Sequence, residues 1–212
     1  MNICWNLIYL GIYSEWKNKV TFEVESLLSN HTNTSPTEPL HKRLSEIPLD
    51  AWENEMPALD GVIRETLRLT MSSTAMRRNL QKDILLVGGI LRKGDFMAYS
   101  MADVHEDPAV YPNPQKFDPE RYRQGREEDR KVAFGHLGWG AGRHVCPGSR
   151  VAKVEMKAII ALMLLDFEYD VVDARDHVLS KPPAIDKNHY LQGRPAAEPC
   201  YIRYRKIDAT SL

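Results

Sequence analysis

The stretch "GWGAGRHVCPGSRVAKVEMKAIIALMLLDF", residues 138–167, joins a glycine-rich loop to a helical pattern, with one cysteine between them. Gly140, Gly142 and Gly148 flank Cys146 and carry no side chains, so the backbone there can approach a flat partner closely. Because the whole chain has only three cysteines, the place of this one at the start of a helical segment indicates a specific chemical role.

The apolar spacing after Cys146 predicts a long helix over about residues 146–166. Pro147 suits its first turn, where a missing N–H costs nothing. The unpaired N–H groups and the positive dipole at a helix start stabilise a thiolate placed there. Haem is a flat dianion whose iron can take a thiolate ligand and whose propionates can pair with an arginine, here Arg143. The alternative interpretation is a buried structural cysteine beside a glycine-rich turn.

Residues 139–148 resemble the haem-binding signature of the cytochrome P450 superfamily, Phe-x-x-Gly-x-Arg-x-Cys-x-Gly, with Trp139 at the phenylalanine position. His144 stands at the arginine position of the signature, and Arg143 directly precedes it. The resemblance implies that Cys146 is the axial ligand of the iron of haem b, within a haem-binding loop over residues 134–148. It also implies that the cofactor lies against neighbouring residues of this loop, which are Trp139, Gly140, Gly142, Arg143, His144 and Gly148.

Composition excludes several other classes of protein. The chain has 212 residues, is 43% hydrophobic and carries a formal net charge of −1, which is typical of a single domain with a real core and argues against a nucleic-acid partner. Cys4, Cys146 and Cys200 are too few and too far apart for a disulfide framework or a zinc site. A reducing compartment fits this cysteine usage.

A second motif, "RETLRL", places Glu65 and Arg68 on one helical face. An exposed ion pair is the plain interpretation, but the apolar neighbours predict that the pair is partly buried and therefore needs a further partner. The resemblance supplies one, because family members pair this Glu-x-x-Arg with an arginine from a Pro-Glu-Arg-Phe-like loop. Here that loop is residues 119–122, with Tyr122 at the phenylalanine position, so Glu65, Arg68 and Arg121 are expected to form one structural knot of charges.

The segment after Arg68 resembles the part of the family that passes the haem and lines the substrate pocket. Arg77 or Arg78 is expected to reach a propionate, with Arg78 favoured by its spacing; surface charge is the alternative for either one. The candidate pocket residues are Ser72, Ser73, Thr74, Ala75 and Leu191. His105 has no signature around it and is predicted to be ordinary loop structure, and the charged stretch "RQGREEDRK" is predicted to be solvated.

The chain as a whole is predicted to be mainly α-helical with small β-sheets, a single partial cytochrome P450 domain over residues 1–212. Helical spacing is predicted over residues 3–13, 14–29 and 49–70, with Pro57 starting a helix. A surface loop is predicted over 30–43 and short strands over 70–100. The resemblance covers residues 3–205: the end of the central I helix, the J and K helices, the meander, the Cys loop and the L helix.

The amino terminus, "MNICWNLIYLGIY", is expected to be a core helix cut part-way along, with an unusual genuine terminus as the alternative. It is too short to span a membrane and lacks the basic region of a signal peptide. The family's acid–threonine pair is expected to lie before Met1, so the chain is expected to be truncated. In such a fragment, exposed apolar surface is expected on Ile3, Trp5, Leu7, Ile8 and Leu10.

By resemblance, the expected activity is that of a haem-thiolate monooxygenase, which binds haem and its iron. Such an enzyme inserts one oxygen atom into a lipophilic small molecule, here unknown. Electrons are expected from NADPH through a flavoprotein reductase, with Arg150 and Lys153 as candidate contacts. Two alternatives are a haem-thiolate isomerase or dehydratase of oxidised lipids, which the missing proline after the Glu-x-x-Arg motif favours slightly, and a non-catalytic fragment. A full-length parent of fungal type is expected to be anchored in the endoplasmic reticulum membrane on its cytosolic face. For this chain, which is expected to have no anchor, the location is either the cytoplasm or unknown.

Overall fold

The computed structural model describes residues 2–35, 37–188 and 193–207. Leu191, a candidate pocket residue, lies outside these ranges. The helices are Asn2–Ile12 (α1), Ser14–His31 (α2), Leu40–Ser45 (α3), Leu49–Asn54 (α4), Pro57–Thr70 (α5), Met101–Glu106 (α6) and Ser149–Asp166 (α7). The strands are Thr74–Arg78 (β1), Ile84–Leu86 (β2), Gly89–Leu91 (β3), Phe96–Ser100 (β4), Phe167–Val172 (β5), Ile185–Asp186 (β6), Arg194–Pro195 (β7) and Tyr201–Lys206 (β8).

Helix α1 lies in the centre of the core and packs against α5, α7 and β5. The apolar side chains in its middle, from Trp5 to Leu10, are buried, and the Trp5 indole N–H donates to the carbonyl of Gly193 at 2.8 Å. The Tyr169 hydroxyl donates to the Leu7 carbonyl at 3.1 Å. The expectation of an exposed apolar surface here is therefore wrong: Trp5, Leu7, Ile8 and Leu10 are buried and Ile3 is half-buried.

The strands pair as four separate antiparallel ladders of two strands each within the described residues. β1 pairs with β4, with Thr74 opposite Ser100, and β2 pairs with β3. These two ladders expose apolar side chains to solvent, among them Leu85, Val87 and Ile90. Apolar exposure therefore lies on the hairpins predicted between residues 70 and 100, rather than on α1.

Two predicted boundaries shift. The loop predicted over residues 30–43 is shorter, because α2 continues to His31 and α3 begins at Leu40. The helix predicted from Cys146 begins at Ser149, because the Ser149 N–H closes a turn on the Cys146 carbonyl at 3.2 Å and Gly148 caps the helix. Pro147 therefore precedes the helix, whereas Pro57 does occupy the first turn of α5 as predicted.

The remaining elements frame the site. β5 follows α7 directly and pairs with β8, while the two-residue strands β6 and β7 bring Gly193 close to the end of α5. No helix within the described ranges combines the length and the apolar character needed to cross a bilayer.

Candidate haem-binding site

A cluster of fully buried charges lies between α5 and the 3₁₀ turn at residues 119–122. Arg68 Nε and Nη2 donate to the two carboxylate oxygens of Glu65, each at 2.8 Å. Arg121 Nε donates to Glu65 Oε1 at 3.1 Å. Each of the three side chains is at most 1% exposed. The structure thus brings together the three residues that the sequence motifs pair.

Two further residues complete this charge cluster, and neither was predicted from the sequence. The Tyr122 hydroxyl donates to Glu65 Oε2 at 2.8 Å, and Arg121 Nη1 donates to Glu128 Oε2 at 2.7 Å. Glu128 is buried although its stretch was predicted to be solvated, so that prediction is wrong at this position. The two buried carboxylates balance the two buried guanidinium groups, which a low-dielectric site requires.

The remaining donors of the two arginines are satisfied by backbone carbonyls. Arg68 Nη1 donates to the carbonyl of His105 at 2.6 Å, and Arg121 donates to those of Pro112, Asn113 and Lys116. Burial lowers the pKa of Arg68, but the hydrogen bonds and charge of Glu65 outweigh it and leave that pKa raised. Burial, followed by the charge of Glu65, holds the pKa of Tyr122 well above its usual value.

Glu128 offers a direct test of this cluster. Its pKa is lowered: burial raises it, but the hydrogen bonds from Arg126 and Arg121 outweigh burial. We expect Glu128→Gln to lower the free energy of unfolding at pH 7 by about 1.5–3 kcal/mol, the usual size of a lost charge-assisted hydrogen bond. Because the folded-state pKa is depressed, this stabilisation is present above the unfolded pKa and disappears as pH falls through the folded pKa.

Urea denaturation of the two proteins measures this difference. The adjacent Glu127 is half-exposed and pairs only with Arg130 among the described residues. It gives the matched control Glu127→Gln, expected within about 0.5 kcal/mol of the parent. Equal effects of the two substitutions at pH 7 would show that Glu128 contributes no more than a surface ion pair.

The Cys146 loop is held by its own backbone. The Cys146 N–H donates to the Trp139 carbonyl at 2.7 Å, and the Gly140 N–H donates to the Leu137 carbonyl at 2.9 Å. Gly140 has a φ of +75°, and a Cβ on it would lie 2.8 Å from the carbonyl oxygen of His144. Only glycine therefore fits at this position without strain.

The open face of the loop fits a flat cofactor with a thiolate ligand. Cys146 is a free, half-exposed cysteine. A Cβ on Gly142 or Gly148 would meet nothing within 4 Å, so the backbone leaves room beside the thiol. Val145 is 52% exposed and offers an apolar contact. A sulfur donor, an open glycine-lined surface and apolar neighbours are the features that a haem-thiolate site needs.

The side chains that are candidates for pairing with the propionates are exposed to solvent. Arg143 and His144 are exposed in the 3₁₀ turn at residues 142–144. Arg77 and Arg78 are exposed on β1, where successive side chains point to opposite faces. Arg77 Nη1 donates to the neighbouring Met76 carbonyl at 2.8 Å, whereas Arg78 Nε donates to that of Gly94 at 3.2 Å and its guanidinium lies over the Phe96 ring.

The described pocket candidates run from the segment after α5 into the start of β1. Ser72, Ser73 and Ala75 are half-buried and Thr74 is exposed. The Ser73 carbonyl accepts the Met101 N–H at 3.1 Å, which fixes the start of α6 to this segment. The described pocket candidates are therefore contiguous along one short stretch.

The two candidate reductase contacts lie at the start of α7. Arg150 is exposed and forms a two-pronged ion pair with Glu53 of α4. Lys153 lines a cleft of about 520 Å³ together with Arg64, Asp129 and Trp139. This cleft therefore adjoins the aromatic residue of the Cys146 loop.

His105 corrects a prediction. It is not in a loop but on α6, and it is fully buried. Its Nε2 accepts the Leu137 N–H at 2.8 Å, so it contacts the first part of the loop that carries Cys146. No spacing around "DVHED" signals this burial, because the partners of His105 lie more than thirty residues away along the chain.

The sequence matches the profile of the Cytochrome P450 family over residues 1–190. It is 34% identical over 169 residues to the cytochrome P450 monooxygenase AacuE of Aspergillus aculeatus, covering 78% of this chain and 34% of that protein. It is 36% identical over 167 residues to the cytochrome P450 monooxygenase nsrP of Aspergillus novofumigatus, covering 77% of this chain and 32% of that protein. The chain thus spans about a third of the length of these relatives.

Two more distant matches cover nearly the whole chain. The sterol 14alpha-demethylase of Mycolicibacterium vanbaalenii is 29% identical over 202 residues, covering 95% of this chain and 40% of that protein. The structure of retinoic acid-bound cyanobacterial CYP120A1 superposes with a TM-score of 0.74 at 22% identity, covering 97% of this chain and 42% of that one. At that identity the structural likeness concerns the fold alone.

Proposed function

Because this chain belongs to the cytochrome P450 family, we propose that it is the haem-holding part of a haem-thiolate monooxygenase acting on a lipophilic small molecule. The observation that carries the proposal is the half-exposed thiol of Cys146 on an open, glycine-lined loop. A haem bound there would supply oxygen activation, with electrons from NADPH passed on by a flavoprotein reductase. The names of the fungal relatives favour this activity over isomerisation or dehydration of oxidised lipids.

In this proposal the residues of the chain have separate roles. Cys146 provides the ligand, and Arg143 and His144 meet the propionates together with Arg78 or Arg77. The segment at residues 72–75 lines the substrate pocket. The buried cluster around Glu65 fixes the loop behind the cofactor without taking part in the chemistry.

The reductase would dock on the face that carries the start of α7. Lys153 and the cleft beside Trp139 lie there, and a cation at that position suits an acidic flavoprotein. Arg150 is the weaker candidate because Glu53 already pairs with its guanidinium. We also propose that the full-length protein lies at the cytosolic face of the endoplasmic reticulum membrane.

The test is a reduced, carbon-monoxide difference spectrum of the purified 212-residue chain supplied with hemin. A strongly red-shifted Soret band is the expected result, because it reports thiolate ligation of the iron. Hemin mixed with the heat-denatured chain is the control for non-specific uptake. Absence of haem uptake, or a band typical of a non-thiolate ligand, would contradict the proposal for this chain and favour a non-catalytic fragment.

A further inference from the structure

Two successive backbone N–H groups at the base of the Cys146 loop donate to imidazole nitrogens. The Leu137 N–H donates to His105 Nε2 at 2.8 Å, and the Gly138 N–H donates to His136 Nδ1 at 3.4 Å. His136 Nε2 in turn lies 3.1 Å from the Arg64 carbonyl, to which it donates. Both rings must therefore be neutral, because a protonated imidazole has no lone pair with which to accept an N–H.

The two rings form one packed unit with the loop. Their centroids lie 5.3 Å apart. A Cβ on Gly138 would lie 2.6 Å from His136 Cε1 and 3.0 Å from Leu67 Cβ, so the backbone is pressed between a ring and α5. The Leu137 side chain is itself buried. The base of the loop can therefore move only if these contacts open.

The same base holds the cysteine. The Leu137 carbonyl accepts the Gly140 N–H, and the Trp139 carbonyl accepts the Cys146 N–H at 2.7 Å. His105 is also joined to the buried charge cluster, because its carbonyl accepts from Arg68 Nη1 at 2.6 Å. A single residue thus connects the Glu65–Arg68 pair on α5, through its carbonyl, to the backbone that presents Cys146, through its imidazole.

We propose that His105, assisted by His136, is an acid-sensitive positioning residue for the Cys146 loop: as a neutral acceptor it holds the loop closed, and acid favours the open loop. The inference rests on the proposed function only in assigning haem ligation to that loop. Neither histidine contacts substrate or cofactor in this proposal.

The charged groups around the rings support it. Burial, followed by the neighbouring His136 ring and the positive charge of Arg68, lowers the pKa of His105 to about 3. Lys187 faces His105 from the carboxyl-terminal segment and pairs with Glu106. Burial also lowers the pKa of His136.

His136 is faced by a different set of groups. The ring of Tyr122 meets it edge-on at 5.7 Å, and the Arg64 guanidinium stacks on that tyrosine and pairs with Asp129 at 2.6 Å. The carboxylate of Glu65 lies behind Tyr122 and is already held by two arginines. No carboxylate among the described residues therefore pairs with either imidazole.

The sign of the pH effect follows from linkage. In the closed loop His105 stays neutral down to pH of about 3, whereas in the open loop its pKa returns to about 6.5. The open state therefore binds more protons below that value, and opening becomes easier as pH falls. Between pH 7 and pH 5 one freed imidazole raises the opening equilibrium about 25-fold.

Hydrogen exchange measured by mass spectrometry on the haem-free 212-residue chain tests this, with rates at pH 7 and pH 5 corrected for intrinsic exchange. We expect protection over residues 134–148 to fall at least about 25-fold, and protection of α2 to fall by less. His105→Gln keeps an acceptor that does not titrate, so it should remove about that factor. His105→Leu removes the acceptor and should lower protection of the loop at both pH values.

His41→Gln is the matched control, because His41 is exposed on α3; it should behave as the parent. A pH dependence unchanged in His105→Gln, or loop and α2 protection falling in parallel in the parent chain, would overturn the proposal. The comparison within the parent needs no variant to fold. It also needs no haem, so a failure to bind hemin would refute the proposed function and leave this result to stand by itself.

Discussion

Replacing Arg68 with alanine is expected to lower the free energy of unfolding by about 3–5 kcal/mol, because it leaves a buried carboxylate without its main partner. Glu65 is fully buried and takes two hydrogen bonds from Arg68. The carbonyls of His105 and Lys116 also lose a donor. Since domains are typically stable by only about 5–15 kcal/mol, much of the protein should fail to fold.

Urea denaturation and the yield of soluble protein measure this effect. Arg68→Lys keeps the charge but not the two-pronged geometry, so its stability should lie between that of the parent and that of the alanine variant. Arg123→Ala is the matched control, because Arg123 is 68% exposed and pairs with Glu120 at the surface; its effect should be under about 1 kcal/mol.

The structural role of Arg68 also leads to an expectation about catalysis. Under the proposed function, any haem-loaded Arg68→Ala protein should keep the turnover per haem of the parent, because Arg68 lies in the scaffold rather than against substrate. An Arg68→Ala protein as stable as Arg123→Ala would show that the buried cluster is not needed for folding. A stable, fully loaded variant with slow turnover would assign Arg68 to the chemistry instead.

The charge cluster shows how far the sequence could go. The spacing of Glu65 and Arg68 and the apolar residues around them predict a partly buried pair, and the resemblance adds Arg121. Neither signal reaches Glu128, because it lies in a stretch with the composition of a solvated surface. Its burial comes from the path of the loop around Arg121, which is a tertiary property with no local periodicity.

Helix α1 shows a different limit. The pattern "NICWNLIYLGI" predicts an apolar helix correctly, but a pattern cannot say which elements cover it. Its partners β5 and Gly193 come from the far end of the chain. The observed start of α7 differs from the predicted one for a local reason. The turn in which the Ser149 N–H donates to the Cys146 carbonyl competes with helix formation at Pro147.

The second large effect is expected from Cys146→Ser. Serine has no sulfur and cannot provide a thiolate ligand, so the red-shifted band of the reduced, carbon monoxide-bound chain should disappear completely. Folding should change little, within about 0.5 kcal/mol, because Cys146 is half-exposed. Its backbone hydrogen bond to Trp139 does not involve the side chain. Loss of the band would then report the ligand and not the fold.

Cys4→Ser is the control, since Cys4 is an exposed free cysteine on α1 and should leave the spectrum unchanged. Titration with hemin, followed by reduction under carbon monoxide, measures both haem uptake and ligand type for each variant. A Cys146→Ser protein with the spectrum of the parent would place the iron on another side chain. Weak uptake with a non-thiolate band would instead separate two properties: the open surface that accepts the flat group, and the sulfur that determines its chemistry.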